Sequence, residues 1–133
     1  MPGEVHGSLQ TGAWLSGIQE LAQTCAAEDG AAEDRAVRRA FHFLKLSPPG
    51  IARMWQSGLS EARMENMLER QNARDAACEI IGDHAAISLS VAGGARRHVA
   101  ELRYDDEGSV SAEAATPALA LIAAWAQMLS VPR

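Results

Sequence analysis

Residues 82–129 read GDHAAISLSVAGGARRHVAELRYDDEGSVSAEAATPALALIAAWAQML, and the change of period inside this stretch decides the fold class. Ile87, Leu89 and Val91 alternate with Ser88 and Ser90, the two-residue period of a strand with one buried face. Gly93-Gly94 supplies a tight turn. From His98 to Tyr104 the alternation resumes, with Ala100, Leu102 and Tyr104 opposed to Val99, Glu101 and Arg103, until Asp105-Asp106-Glu107-Gly108 reverses the chain. A short third strand follows, with Val110, Ala112 and Ala114 on its inner face. Thr116-Pro117 then opens a helix, since a Thr side chain accepts from a free amide and Pro at the first helical position gives up no hydrogen bond. Leu121, Ile122, Trp125, Met128 and Leu129 form the apolar stripe of that helix. A three-stranded meander with one apolar face needs a cover, and this helix, with the end of the helix before the sheet, provides one.

Upstream the period is helical. Residues 1–10 read as a flexible arm. Trp14, Leu15, Ile18, Leu21, Ala22 and Cys25 fall on one stripe of a first helix that Asp29-Gly30 stops. A second helix from about Asp34 buries Val37, Ala40, Phe41 and Leu44 and turns Arg35, Arg38, Arg39 and His42 outward. Ser47-Pro48 starts a short third helix reaching Gln56, on which Met54 and Trp55 compete for the inward position. Gly58 closes it, and Ser60 caps a long fourth helix, bent in its middle and ended by Gly82-Asp83. The expected fold class is α+β: an N-terminal helical bundle over residues 11–71 with a helix-turn-helix-like pair, then an α-β-β-β-α unit over residues 72–133, joined in one compact domain.

At 133 residues the chain is long enough to bury a core without metal or disulfide staples. Its two cysteines, Cys25 and Cys78, lie in no Cys-x-x-Cys or Cys/His spacing and fit a reducing compartment. The start, MPGEVHGSLQTG, lacks the basic and apolar regions of a signal peptide, and no apolar run is long enough to span a bilayer, so a cytoplasmic protein without membrane contact is expected.

Charge is distributed unevenly. Residues 34–74 hold eight Lys and Arg (Arg35, Arg38, Arg39, Lys45, Arg53, Arg63, Arg70, Arg74) against four carboxylates (Asp34, Glu61, Glu65, Glu69), in a chain of net charge -5. A basic island in an acidic molecule suggests an anionic partner, because attraction to phosphate follows the local field. The other use of these arginines is pairing with Glu61, Glu65 or Glu69 on a solvated surface.

The segment RAVRRAFHFLKLSPPGIARMWQSGLSEARMENMLER, with Ala40 to Leu44 ending a basic helix, a turn at Lys45 to Pro48, Arg53 with Trp55, and Glu61 to Arg70, resembles short helix-turn-helix-like proteins of phages and mobile elements. The strands ISLSV, HVAELRY and SVSAEA with the helix ATPALALIAAWAQML are similar to a small sandwich domain of phage-encoded proteins. The first resemblance implies a DNA-binding accessory or regulatory protein, with Arg35, Arg38, Arg39, Lys45 and Arg53 on phosphates and Gln56, with Arg53, nearest the bases. Pro48-Pro49-Gly50 departs from that pattern, since these residues stand where base-reading side chains project and have no hydrogen-bonding side chains to offer. The strand order also occurs in double-stranded RNA binding domains, but the lysine cluster of their last helix is missing from Ala118 to Ala124.

No catalytic constellation stands out. His6, His42, His84 and His98 include no i, i+4 pair, Asp105-Asp106-Glu107 lacks the spacing of a calcium loop, and no G-x-S-x-G elbow is present. Neither enzyme activity nor a metal or cofactor is expected. The competing expectation is an inhibitor or adaptor that binds a host or phage protein through Met54, Trp55, Met64 and Met67, since methionine-rich faces suit adaptable interfaces. The Ala-rich last helix and the open edges of a three-stranded sheet also admit a homodimer.

Overall fold

The computed structural model describes the backbone of residues 2–48, 58–92, 97–104 and 108–130, and the side chains of these from Thr11 onward. The helices are α1 (Pro2–Ala27), α2 (Glu33–Lys45), α3 (Glu61–Glu69), α4 (Ala73–Ile81) and α5 (Pro117–Ser130), and the strands are β1 (Ala86–Ala92), β2 (Arg97–Arg103) and β3 (Ser109–Ala114). The architecture is α+β, with a helical N-terminal region and an antiparallel sheet of order β1-β2-β3 packed against the C-terminal helix. Among the described residues no helix is long and apolar enough to cross a membrane.

The core is organised around α5. Every residue from Ala118 to Ala126 is buried, as is Met128, so the expected apolar stripe is instead an apolar cylinder. A helix hydrophobic all round has to be enclosed. Here α1 runs along it, β2 and β3 cover another side, and α4 and α2 close the rest. The alanines let these neighbours come close, while Leu119, Leu121, Ile122 and Trp125 supply bulk. Thr116 Oγ1 accepts from the Leu119 amide at 3.1 Å, the cap expected of Thr116-Pro117. One polar group is left over: the buried Trp125 indole N–H has no acceptor among the described residues, a cost of about 1–3 kcal/mol set against burial of the ring.

Three expectations need correction. Residues 2–10 have helical backbone, because α1 starts at Pro2, whose missing amide costs nothing in the first turn. The long fourth helix is two helices. After Glu69 the chain turns through Gln71 at φ 61°, and its ending satisfies the last carbonyls: Gln71 N donates to Leu68 O at 3.0 Å and Asn72 N to Met67 O at 2.8 Å. This is a Schellman termination with Gln in the position glycine favours, so glycine counting misses it. Finally, of the two helices expected to cover the sheet, α5 does so, packing on β2 and β3, whereas α4 packs chiefly on α5 and α2. The expected third helix lies mostly outside the described residues, and Ser47 Oγ donates back to Leu44 O at 2.8 Å. Ser60 does cap α3, accepting from Arg63 N at 3.1 Å.

Two side chains from distant parts of the chain close helix ends. Trp14 Nε1 donates to Phe43 O, a carbonyl in the last turn of α2, at 2.7 Å, and its ring meets that of Phe43 edge-on. Phe43 also lies over Gly17, where a Cβ would stand 2.6 Å from ring atoms, so glycine sets the approach of α2 to α1. Arg97, opening β2, donates to Ala26 O at the end of α1 at 2.8 Å and to Glu113 O of β3 at 3.3 Å. It thereby ties the first helix to the sheet.

The tightness around α5 is testable. Ala124→Leu adds volume where every side is occupied, and it should lower stability by about 1–3 kcal/mol, read as a lower urea midpoint with the slope unchanged.

Candidate functional site

Four arginines of the basic segment, Arg35, Arg38, Arg63 and Arg74, face carboxylates of the same molecule. Arg38 of α2 grips Glu65 of α3 with both Nε and Nη2, at 2.8–3.1 Å. This forked geometry is the strongest form of a charge-assisted hydrogen bond. It holds the Glu65 carboxyl below the usual carboxylate range and raises Arg38. Arg35 reaches Glu28 beyond the end of α1 at 3.3 Å, and Arg63 of α3 reaches Glu79 of α4 at 2.6 Å. Arg74 stands 3.7 Å from Asp75. Lys45 lies over the Phe41 ring, 5.2 Å from its centroid, a cation–π contact. Arg39 is half-buried and close enough to the Cys25 thiol to act on it.

Of the residues expected to touch DNA, Arg35, Arg38, Arg39 and Lys45 therefore share α2, but the first two are engaged by carboxylates. Arg53 and Gln56 lie outside the described residues. Of the expected protein-contacting residues, Met64 is buried in the core at 1% exposure, and Met67 is half-buried against it. Met64 cannot face a partner, because Ala62 and Arg63 take the outward positions of α3. Met54 and Trp55 also lie outside the described residues.

Sequence reasoning did not single out β1. Its register with β2 runs through seven consecutive pairs, from Ala86↔Arg103 to Ala92↔Arg97, without a bulge. Ile87, Leu89 and Val91 share the inner face with Leu102 and Ala100, yet Leu89 is 40% and Val91 62% exposed, because α5 underlies β2 and β3 and stops short of β1. The far edge differs: β3 carries Glu113 and has α1 beside it. The strand Ala86–Ala92 holds no charged residue and no proline, the devices by which exposed edges usually avoid pairing. That composition was the available signal.

Two open grooves flank Gly82 and Asp83. One, of about 460 Å³, is lined by Arg63, Met67, Asp75, Cys78 and Glu79, and the other, of about 500 Å³, by His84, Arg103 and Tyr104. Burial pushes the Cys25 thiol up to about 12, against a lowering by Arg39, and raises Cys78 as well, so both stay protonated and poorly nucleophilic near neutral pH. Among the described residues no three His, Cys, Asp or Glu side chains form a group able to hold a metal ion. No family model matches the sequence, and no curated protein or solved structure matches it, so the reading of the site rests on its geometry.

The Arg38–Glu65 pair has a pH signature. A carboxyl whose pKa is lowered in the fold contributes stability above its unfolded pKa and loses it as pH falls through the folded one. Glu65→Gln should therefore lower the thermal midpoint at pH 7, and the difference from wild type should begin to shrink as pH falls below the ordinary Glu value of about 4.3 and vanish only below the lowered folded value.

Proposed function

We propose that this chain is a protein-binding module, an adaptor or inhibitor, which engages a partner chain by strand addition along β1. One observation carries the reading: among the described residues the outer edge of β1 pairs with no other strand, is neutral and is bordered by exposed Leu89 and Val91, whereas β3 at the other side of the sheet is in contact with α1. Strand addition draws affinity from backbone hydrogen bonds and selectivity from alternate side chains, and both are on offer here.

The DNA-binding reading rests on the net positive segment and on the resemblance to helix-turn-helix-like proteins. Phosphate binding needs cations whose field points to solvent, and Arg35, Arg38 and Arg63 have carboxylates within hydrogen-bonding reach. To bind a phosphate, Arg38 would first have to give up Glu65. The protein-binding reading asks for no such exchange.

A photo-cross-linking amino acid at position 91, introduced into the full chain in cells, tests the proposal. The expected result is a discrete protein adduct from position 91 and none from exposed Ser16 on α1. Absence of an adduct at position 91 would overturn it. So would duplex DNA binding by the purified chain whose log affinity falls with log salt at a slope of about −4, the mark of four to five neutralised phosphates.

A further inference from the structure

The β1 strand reads Ala86-Ile87-Ser88-Leu89-Ser90-Val91-Ala92, and it is chemically the same in both directions. About Leu89 the residues match as Ser88 with Ser90, Ile87 with Val91, and Ala86 with Ala92. We infer that the strand added to β1 is the β1 strand of a second copy, antiparallel, with a two-fold axis through Leu89, giving a continuous six-stranded sheet β3-β2-β1-β1-β2-β3. The inference rests on the reading of β1 as the docking edge, and it names the occupant.

An isologous interface requires that each residue meet the residue its own mate meets, so a strand that pairs with itself has to be self-complementary about one point. In the register centred on Leu89, every inner-face position meets an apolar side chain: Leu89 meets Leu89, and each Ile87 meets a Val91. On the outer face each Ser88 meets a Ser90 and each Ala86 meets an Ala92. Directly opposed side chains across an antiparallel pair have Cβ atoms about 4.5–5.5 Å apart, so the two Leu89 side chains touch and the 62% exposed Val91 gains Ile87 as a neighbour. A shift of the register by one residue would set serine against the apolar row, and a shift by two would keep only two of the three large apolar residues of each copy paired with one another, so the Leu89 centre makes the most apolar pairs.

Charge permits the pairing. Two copies of a chain of net charge -5 repel at a distance, but the strand itself carries no charge, so no like charges are brought face to face along it. The seven pairs of the β1–β2 ladder keep the edge straight enough for a second ladder on its other side. Interface size sets the strength. One strand pair with three apolar side chains from each copy falls at the low end of protein interfaces, so the dissociation constant is expected in the micromolar range, about 1–100 μM.

Sedimentation equilibrium of the purified full chain, over about 1–500 μM, is the direct test. The expected mass rises with concentration from 14.2 kDa toward twice that value. Val91→Lys places a charge on the edge and should weaken association at least about tenfold while leaving the far-ultraviolet dichroism and thermal midpoint near wild type. Register is read separately. In a Cys78→Ser background, Leu89→Cys should form an intermolecular disulfide with itself under mild oxidation, and Ser109→Cys, exposed on β3, should not. A chain that stays monomeric to the top of the range overturns the inference, as does a dimer that neither Val91→Lys weakens nor Leu89→Cys traps. The β1 docking reading fails separately: an adduct from position 91 with some other protein, alongside a monomeric purified chain, removes the second copy and keeps the edge. No adduct from that position removes both.

Discussion

A helix with no polar side must be walled in, and α5 imposes that demand on the rest of the chain. Its burial accounts for the placement of α1, α2, α4, β2 and β3, each of which presents an apolar surface to it. It also accounts for what is left uncovered. A helix with its side chains is about 10–12 Å across and strands are spaced about 4.8 Å apart, so one helix covers roughly two strands. The sheet has three. The strand that overhangs is β1, and its inner-face Leu89 and Val91 remain exposed although their alternation is that of a buried face. The open edge is thus a geometric result of enclosing one cylinder with one small sheet.

The arginine-rich segment illustrates how a local excess of charge can be used inside the molecule. Arg38–Glu65 joins α2 to α3, Arg63–Glu79 joins α3 to α4, and Arg35–Glu28 joins α2 to the chain just after α1. Exposed pairs of this kind add little stability individually. Their larger effect is to reduce the outward field of Arg35, Arg38 and Arg63. Arg97 follows the same logic with backbone acceptors, closing the end of α1, where no basic residue of the helix's own last turn is available.

Periodicity and capping chemistry, both local, were legible in the sequence alone. They delivered the α+β class, the meander with its inner-face residues, the caps at Ser60 and Thr116, and burial of Trp14 and Trp125. Tertiary structure decided whatever depends on residues far apart in the chain. Glu61, Glu65 and Glu69 were legible as partners for the arginines, but Arg38 and Glu65 are 27 positions apart, and nothing local picks out this pair from the others. The break at Gln71 uses a residue with no turn preference, tolerated because its amide and that of Asn72 find carbonyls of α3. Met64 and Met67 have the same local character, and only packing separates the buried one from the half-buried one. The alternation of β1 identified a strand with an apolar face, but whether that face would be covered depended on the width of a helix about 30 residues later, because burial is a property of what a residue meets in space.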